Sequence, residues 1–211
     1  MKSRKGVIQQ LRRLIVIGLA LAPLAAIGVA KAESSGASAL AGKFQAGLVD
    51  VMNVAEKLPV KARFDKLAPL VDSTFHVPLM TQISAGNHWN SASADERKSL
   101  VHAFRRMSIA TLATLFDGYS GETFVVDGEK PGPSQTTLVL TTLIKSDKST
   151  VKIAYVGRQF REGWRLIDVI IDSGISELKV RRSEYNQVLK TKGIPGLIAL
   201  LNGKADQLIS Q

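Results

Sequence analysis

The chain has 211 residues, with 28 Lys and Arg against 18 Asp and Glu for a net charge of +10, and it has no cysteine. Disulfides and thiolate metal sites are thereby excluded. The charge is unevenly placed: six of the basic residues, and none of the acidic ones, fall within residues 1–32.

Those residues begin with Lys2, Arg4, Lys5, Arg12 and Arg13, continue as an uncharged run from Leu14 to Val29, and end in Ala30-Lys31-Ala32. A basic start, a short apolar core and a small-x-small site are the parts of a cleavable secretory signal peptide. The run holds 16 residues, short of the ~20 that a membrane-spanning helix needs. Pro23 weakens it further as a permanent span. The expected cut follows Ala32, the alternative being an uncleaved N-terminal anchor. Residues 33–211 then carry 22 cations against 18 anions, a net of +4. That mild balance suits anionic membrane surfaces or acidic partners and removes most of the case for nucleic-acid binding. Their number suits one domain with a real core, and no second apolar run reaches spanning length. A soluble periplasmic protein is expected.

Residues 33–39, small and polar, read as a flexible leader. From Leu40 to Leu58 the residues Phe44, Leu48, Val51, Met52 and Ala55 recur at helical spacing, and Pro59 ends the run. A second helix is expected from about Arg63 to Phe75, with Leu67, Leu70 and Val71 on one face. A third covers Val77 to Ala85, with Pro78 in its first turn and Gly86 at its end. Ser93 and Glu96 have the spacing of a capping box, opening a long apolar helix that continues to Tyr119. Residues 122–171 change character, with Thr, Val, Ile and aromatics between turn residues. They divide into four strands, Glu122 to Asp127, Thr136 to Lys145, Thr150 to Phe160 and Gly163 to Ile171. Short turns between the last three imply antiparallel hairpins. Lys152, Arg158 and Arg165 alternate with apolar neighbours, so one sheet face is expected to be wet. Two helices follow, about Ser176 to Lys192 and Pro195 to Ser210, parted by Gly193. A helical part (33–121), an antiparallel sheet (122–172) and C-terminal helices (173–211) argue an α+β domain with helices on one sheet face.

Catalytic patterns are missing. His76, His88 and His102 lie on separate segments without metal-ligand spacing. There is no GxSxG elbow, no P-loop and no GxGxxG fingerprint, and the run from Asp127 to Pro133 is turn chemistry. A cone-shaped fold can use a buried Asp base with a Tyr donor, for which Asp168, Tyr155 and Tyr119 are the candidates. Asp168 serves equally well at a strand edge or beside Arg165 or Arg158. Lys179, Arg181, Arg182, Lys190 and Lys192 form a basic stretch after the sheet. It offers a surface for headgroups or an acidic partner, or is simply the solvated face of a helix.

Several segments, in order, carry a resemblance. They are Arg63-Phe64-Asp65 with Phe75, Met80, Gly86 and Trp89, then Ser93-Ala94-Asp95-Glu96-Arg97 and Asp117-Gly118-Tyr119-Ser120-Gly121-Glu122. The strands Val151-Lys152-Ile153-Ala154-Tyr155 and Gly163-Trp164-Arg165-Leu166-Ile167-Asp168-Val169 follow. Last come Gly174-Ile175-Ser176, Arg181-Arg182-Ser183-Glu184-Tyr185, Val188-Leu189 and Gly193, with Leu197-Ile198 and Leu201 beyond. This set resembles the MlaC, or toluene-tolerance, family of periplasmic phospholipid-binding proteins. The segment after Gly174 also resembles the hopanoid-associated HpnM branch, with Asp172-Ser173 where many members have a Glu directly before the Gly.

The resemblance implies a four-stranded NTF2-like antiparallel sheet packed by N- and C-terminal helices around an apolar cavity. Acyl chains enter that cavity while the headgroup faces water, without cofactor, metal or catalytic residue. Implied partners are phospholipid or a related lipid, an inner-membrane ABC transporter complex with an MCE-domain protein, and an outer-membrane lipoprotein complex. Moving two chains of roughly fifteen methylenes through water costs on the order of 20 kcal/mol at ~0.8 kcal/mol per CH₂, so a carrier needs a dry enclosure. The candidate lining is Phe75, Leu79 and Met80, then Phe104, Leu112 and Phe116, and from the sheet Val139, Ile153, Tyr155, Trp164 and Leu166. By periodicity alone the same residues read as ordinary core. Two other classes compete: a cone-fold periplasmic enzyme, which needs Asp168 aimed into a small cavity, and a non-catalytic envelope adaptor, which needs a filled core.

Overall fold

The computed structural model describes residues 36–172 and 174–211. The expected signal peptide lies outside the described residues.

Helix α1 (Gly36–Ala55) buries Ala37, Ala41, Phe44, Leu48, Val51 and Ala55 along one stripe. It starts earlier than expected, because residues 36–39 are its first turn and not part of a leader. Ala37 is fully buried, and the Ser38 amide donates to Glu129 Oε1 at 3.0 Å. Small side chains make the contact possible. A Cβ on Gly36 would overlap the Trp164 indole, and one on Gly157 would meet the Ala37 methyl at 2.8 Å. Small residues that look like linker composition thus mark the closest approach of helix to sheet.

Helices α2 (Val60–Thr74), α3 (Val77–Ala85), α4 (His88–Ser91) and α5 (Ala94–Leu115) follow. The single turn of α4 carries no periodicity signal and was not anticipated. The capping box of α5 is formed: Ser93 Oγ accepts from the Glu96 amide, and Glu96 Oε2 accepts from the Ser93 amide at 2.8 Å. The helix ends at Leu115 and not Tyr119. Phe116 leaves the helical region (φ −104°, ψ 69°), and Asp117-Gly118 favours no further turn.

Arg63 joins three of these segments. It is 8% exposed, and its guanidinium donates to the carbonyls of Ala113 (2.7 Å), Ala55 (3.1 Å) and Leu58 (2.7 Å). The ends of α1 and α5 and the α1–α2 turn therefore share one fork of donors. Exposed pairs, Arg105 with Asp72 and Arg106 with Asp206, link α5 to its neighbours.

The sheet has five antiparallel strands in sequential order, β1 (Thr123–Pro131), β2 (Thr136–Ile144), β3 (Thr150–Phe160), β4 (Gly163–Ile171) and β5 (Ile175–Ser176). The fifth strand corrects the expected four. It is two residues long, pairing with Ile170 and Ile171, too short for any alternation to show. β1 also runs on through Asp127 to Pro131, where turn chemistry was expected. A register shift between Val126 and Gly128 (φ 151°) carries the strand past the glycine. The turn itself sits later, with Ser134 and Gln135 at φ 53° and 60°.

The two expected C-terminal helices are present end to end as α6 (Glu177–Ile209), parted where Gly193 leaves the helical region (φ 62°, ψ −164°). That backbone conformation suits glycine alone. Helix α1 lies across β1 to β4, and α5 packs against α2 and α6. This is an α+β domain with its helices against an antiparallel sheet. Among the described residues no helix is long and apolar enough to cross a membrane.

Candidate functional site

Between sheet and helices lies a cavity of about 230 Å³. Phe44 and Leu48 reach it from α1, Val71 and Phe75 from α2 and the residue after it, and Val77 and Met80 from α3. Helix α5 and the residue that ends it give Phe104, Ser108, Thr111, Leu112, Leu115 and Phe116. The sheet supplies Phe124, Leu143, Ile153, Tyr155, Val169 and Ile171, and α6 supplies Glu177, Leu178 and Arg181.

The inner end is aromatic and dry. Phe44 meets Phe75 edge to face at 4.9 Å between centroids, and Tyr155 in the same way at 6.1 Å. Tyr155 is 3% exposed, and burial pushes its hydroxyl pKa up to about 12. The Gln45 amide nitrogen beside it has no partner among the described residues. The other end is open to water. Leu115 is 68% exposed and Ile171 36%, and the charged Glu177 and Arg181 stand at the wall. The result is a greasy slot with a partly polar rim, the shape and polarity of a site for an apolar tail.

Of the eleven sequence-derived candidates, Phe75, Met80, Phe104, Leu112, Phe116, Ile153 and Tyr155 meet on this wall. Four stand elsewhere. Val139 and Leu166 are fully buried in the core outside the cavity, Trp164 packs over Gly36, and Leu79 is a half-buried residue of α3 whose amide donates to His76 Nδ1. Phe44, Leu48 and Val71 were legible as helix stripes, but no sequence signal separates a stripe that faces a cavity from one that faces a neighbour.

Val169 and Ile171 were hidden by a bulge. Gly157 pairs with Leu166 but Val156 with Asp168, so Ile167 is the extra residue. Alternation from Trp164 and Leu166 would send Asp168 inward; the bulge sends Val169 and Ile171 there instead. Asp168 serves the start of α6. Its carboxylate accepts from Ser176 Oγ at 2.5 Å and from the amides of Leu178 and Val169 at 3.2 and 2.8 Å. It lines no part of the cavity and pairs with neither Arg158 nor Arg165.

The histidines are apart as well. His76 caps α3 through Nδ1 and stacks on Phe160 at 4.3 Å, His88 begins α4, and His102 is an exposed residue of α5. Among the described residues no three His, Asp or Glu side chains are placed to hold a metal ion.

A family model described as MlaC protein matches residues 44–203. The chain belongs to the MlaC family. The matched span takes in every residue of the cavity wall and all five strands. Among solved structures, the MlaC fold seen here is similar to that of a phospholipid-binding protein from Ralstonia solanacearum, determined in complex with a phospholipid. The two superpose with a TM-score of 0.70 at 17% sequence identity, covering 83% of this chain and 99% of that one. At that identity the likeness establishes a shared MlaC architecture and not a shared ligand.

Proposed function

We propose that this protein is a soluble periplasmic carrier, exported by a signal peptide cut after Ala32. It binds the acyl chains of a phospholipid, or of a similar amphiphile such as a hopanoid. It carries that cargo between an inner-membrane ABC transporter complex with an MCE-domain protein and an outer-membrane lipoprotein complex. The observation that supports this most is the apolar slot between sheet and helices, in a family member whose fold is shared with a phospholipid-bound protein.

The slot's volume of about 230 Å³ lies below the ~300–1,000 Å³ usual for small-molecule sites. Admitting two chains requires its walls to part. The open side, where Leu115 and Ile171 are exposed, is the natural place for that movement. The cavity argues against an envelope adaptor with a filled core. The engagement of Asp168 at the α6 terminus favours a binding protein over a cone-fold isomerase, because the base that chemistry needs is turned to another task.

Lipid extraction and mass spectrometry of protein purified from the periplasmic fraction without detergent test the reading. Near-stoichiometric phospholipid or hopanoid is expected, on a chain whose intact mass begins at Glu33. Lipid-free protein that also refuses added lipid would overturn it.

A further inference from the structure

The first turns of α6 separate two environments. Glu177, Leu178 and Arg181 meet the apolar slot, whereas Lys179, Arg182, Ser183, Asn186 and Lys190 line a second concavity of about 550 Å³. These five recur at the spacing of one helix face. The opposite wall is the α3–α4 corner, residues 84–88, and Leu189 adds an apolar patch.

The chemistry of this concavity is one-sided. Three cationic side chains line it together with the amides of Asn87 and Asn186 and the hydroxyls of Ser84 and Ser183, and no carboxylate does. Among the described residues Lys179, Arg182 and Lys190 form no ion pair or side-chain hydrogen bond, whereas Lys61, Arg105, Arg106 and Lys152 each have a carboxylate partner. Lys179 and Arg182 are three residues apart on a helix, where like charges repel. An anion between them relieves that repulsion.

The corner is also shaped around the arginine. Gly86 takes φ 58°, and a Cβ there would come within 3.0 Å of the Arg182 guanidinium. Glycine lets the backbone lie against the fork and hold it beside the pocket.

We propose that this concavity binds a phosphate-bearing anion, the guanidinium of Arg182 meeting two phosphate oxygens and the two lysines supplying point charges. The source is either a small soluble phosphate compound or the phosphate of a lipid headgroup at a membrane surface. The volume fits the ~300–1,000 Å³ of small-molecule sites. Nothing in this rests on the cargo assigned to the slot, because a different face of α6 carries it.

The test uses two probes on the purified protein at constant ionic strength. Inorganic phosphate is titrated while the backbone amides of Asn87, Ser183 and Asn186 are followed by nuclear magnetic resonance. Flotation then compares vesicles of phosphatidylcholine alone with vesicles containing one quarter phosphatidylglycerol. The variant Lys179→Gln/Arg182→Gln/Lys190→Gln changes only exposed side chains, and Lys57→Gln/Lys66→Gln/Lys98→Gln removes the same charge elsewhere.

Saturable shifts with inorganic phosphate, weakened at least about tenfold in the first variant and retained in the second, establish the site with a soluble source. Binding only to the phosphatidylglycerol vesicles, lost in the first variant and kept in the second, establishes it with a lipid-borne source. Arg182→Lys alone, which keeps charge but loses the fork, should weaken either response several-fold and guards against a misfolded triple variant. Equal responses from both triple variants, or none from the wild type with either probe, would overturn the proposal.

Discussion

Replacing Leu112 by Trp tests whether the slot is a true void. Leu112 is half-buried on α5 and faces the cavity, with Thr111 and Phe116 as neighbours on the wall. In a filled core the larger side chain would be overpacked and destabilising by about 1–3 kcal/mol. Here it has room. The slot of about 230 Å³, open to water at its outer end, corresponds to at most about 5 kcal/mol of packing left unmade at ~24 cal/mol per Å³. Filling one third of it is worth at most about 2 kcal/mol on that scale. Thermal melts of delipidated protein should therefore show the variant melting above the wild type, by up to about 8 °C. The same variant should hold much less lipid by extraction and mass spectrometry. Leu166→Trp is the matched control, since Leu166 is fully buried away from the slot and should lose about 1–3 kcal/mol. If Leu112→Trp melts lower, as Leu166→Trp does, the slot is packed core and the reasoning fails. Unchanged lipid content would equally refute it.

Three further outcomes are expected. Arg63→Lys keeps the charge but loses the planar fork whose Nε and Nη1 face different carbonyls, so urea unfolding should show a loss of about 2–3 kcal/mol. Tyr155 has a folded pKa of about 12 against an ordinary value of 10.0. Because the folded value is raised, its contribution is fully present below pH 10 and disappears as pH climbs to 12. Between pH 9 and 11.5 the wild type should lose about 2 kcal/mol more than Tyr155→Phe, measured by urea unfolding at each pH; parallel losses would show that the phenol is not buried. Ser93→Ala removes the acceptor for the Glu96 amide and should lower stability by about 1 kcal/mol, with α5 fraying first in amide exchange.

The legible parts of the site were those whose neighbours are close in sequence. Phe104 and Leu112 stand on one face of α5 because helical spacing puts them there, and Ile153 and Tyr155 share a face of β3 by strict alternation. Both pairs reach the wall. Leu166 and Trp164 followed the same rule and face the helices, but one is packed in the core and the other lies over Gly36, while the extra residue at Ile167 brings Val169 and Ile171 to the wall. Val139 shares the inner face with Tyr155, its register partner, yet lies in the core outside the wall. No local pattern records what packs on a strand from the other side.

The sequence by itself determined the elements. A capping box, proline and glycine at element ends, and two periodicities placed α2, α3, α5 and strands β2 to β4 close to their final bounds, because these signals act within a few residues. Tertiary structure alone decided where packing stops. Whether Phe104 touches another side chain or open volume depends on how far α5 stands from the sheet. That distance is set by the Gly36 and Ala37 contacts with Trp164 and Gly157, by the Arg63 fork, and by the Asp168 hold on α6. Each of these joins residues far apart in the chain, and a cavity is the sum of such distances.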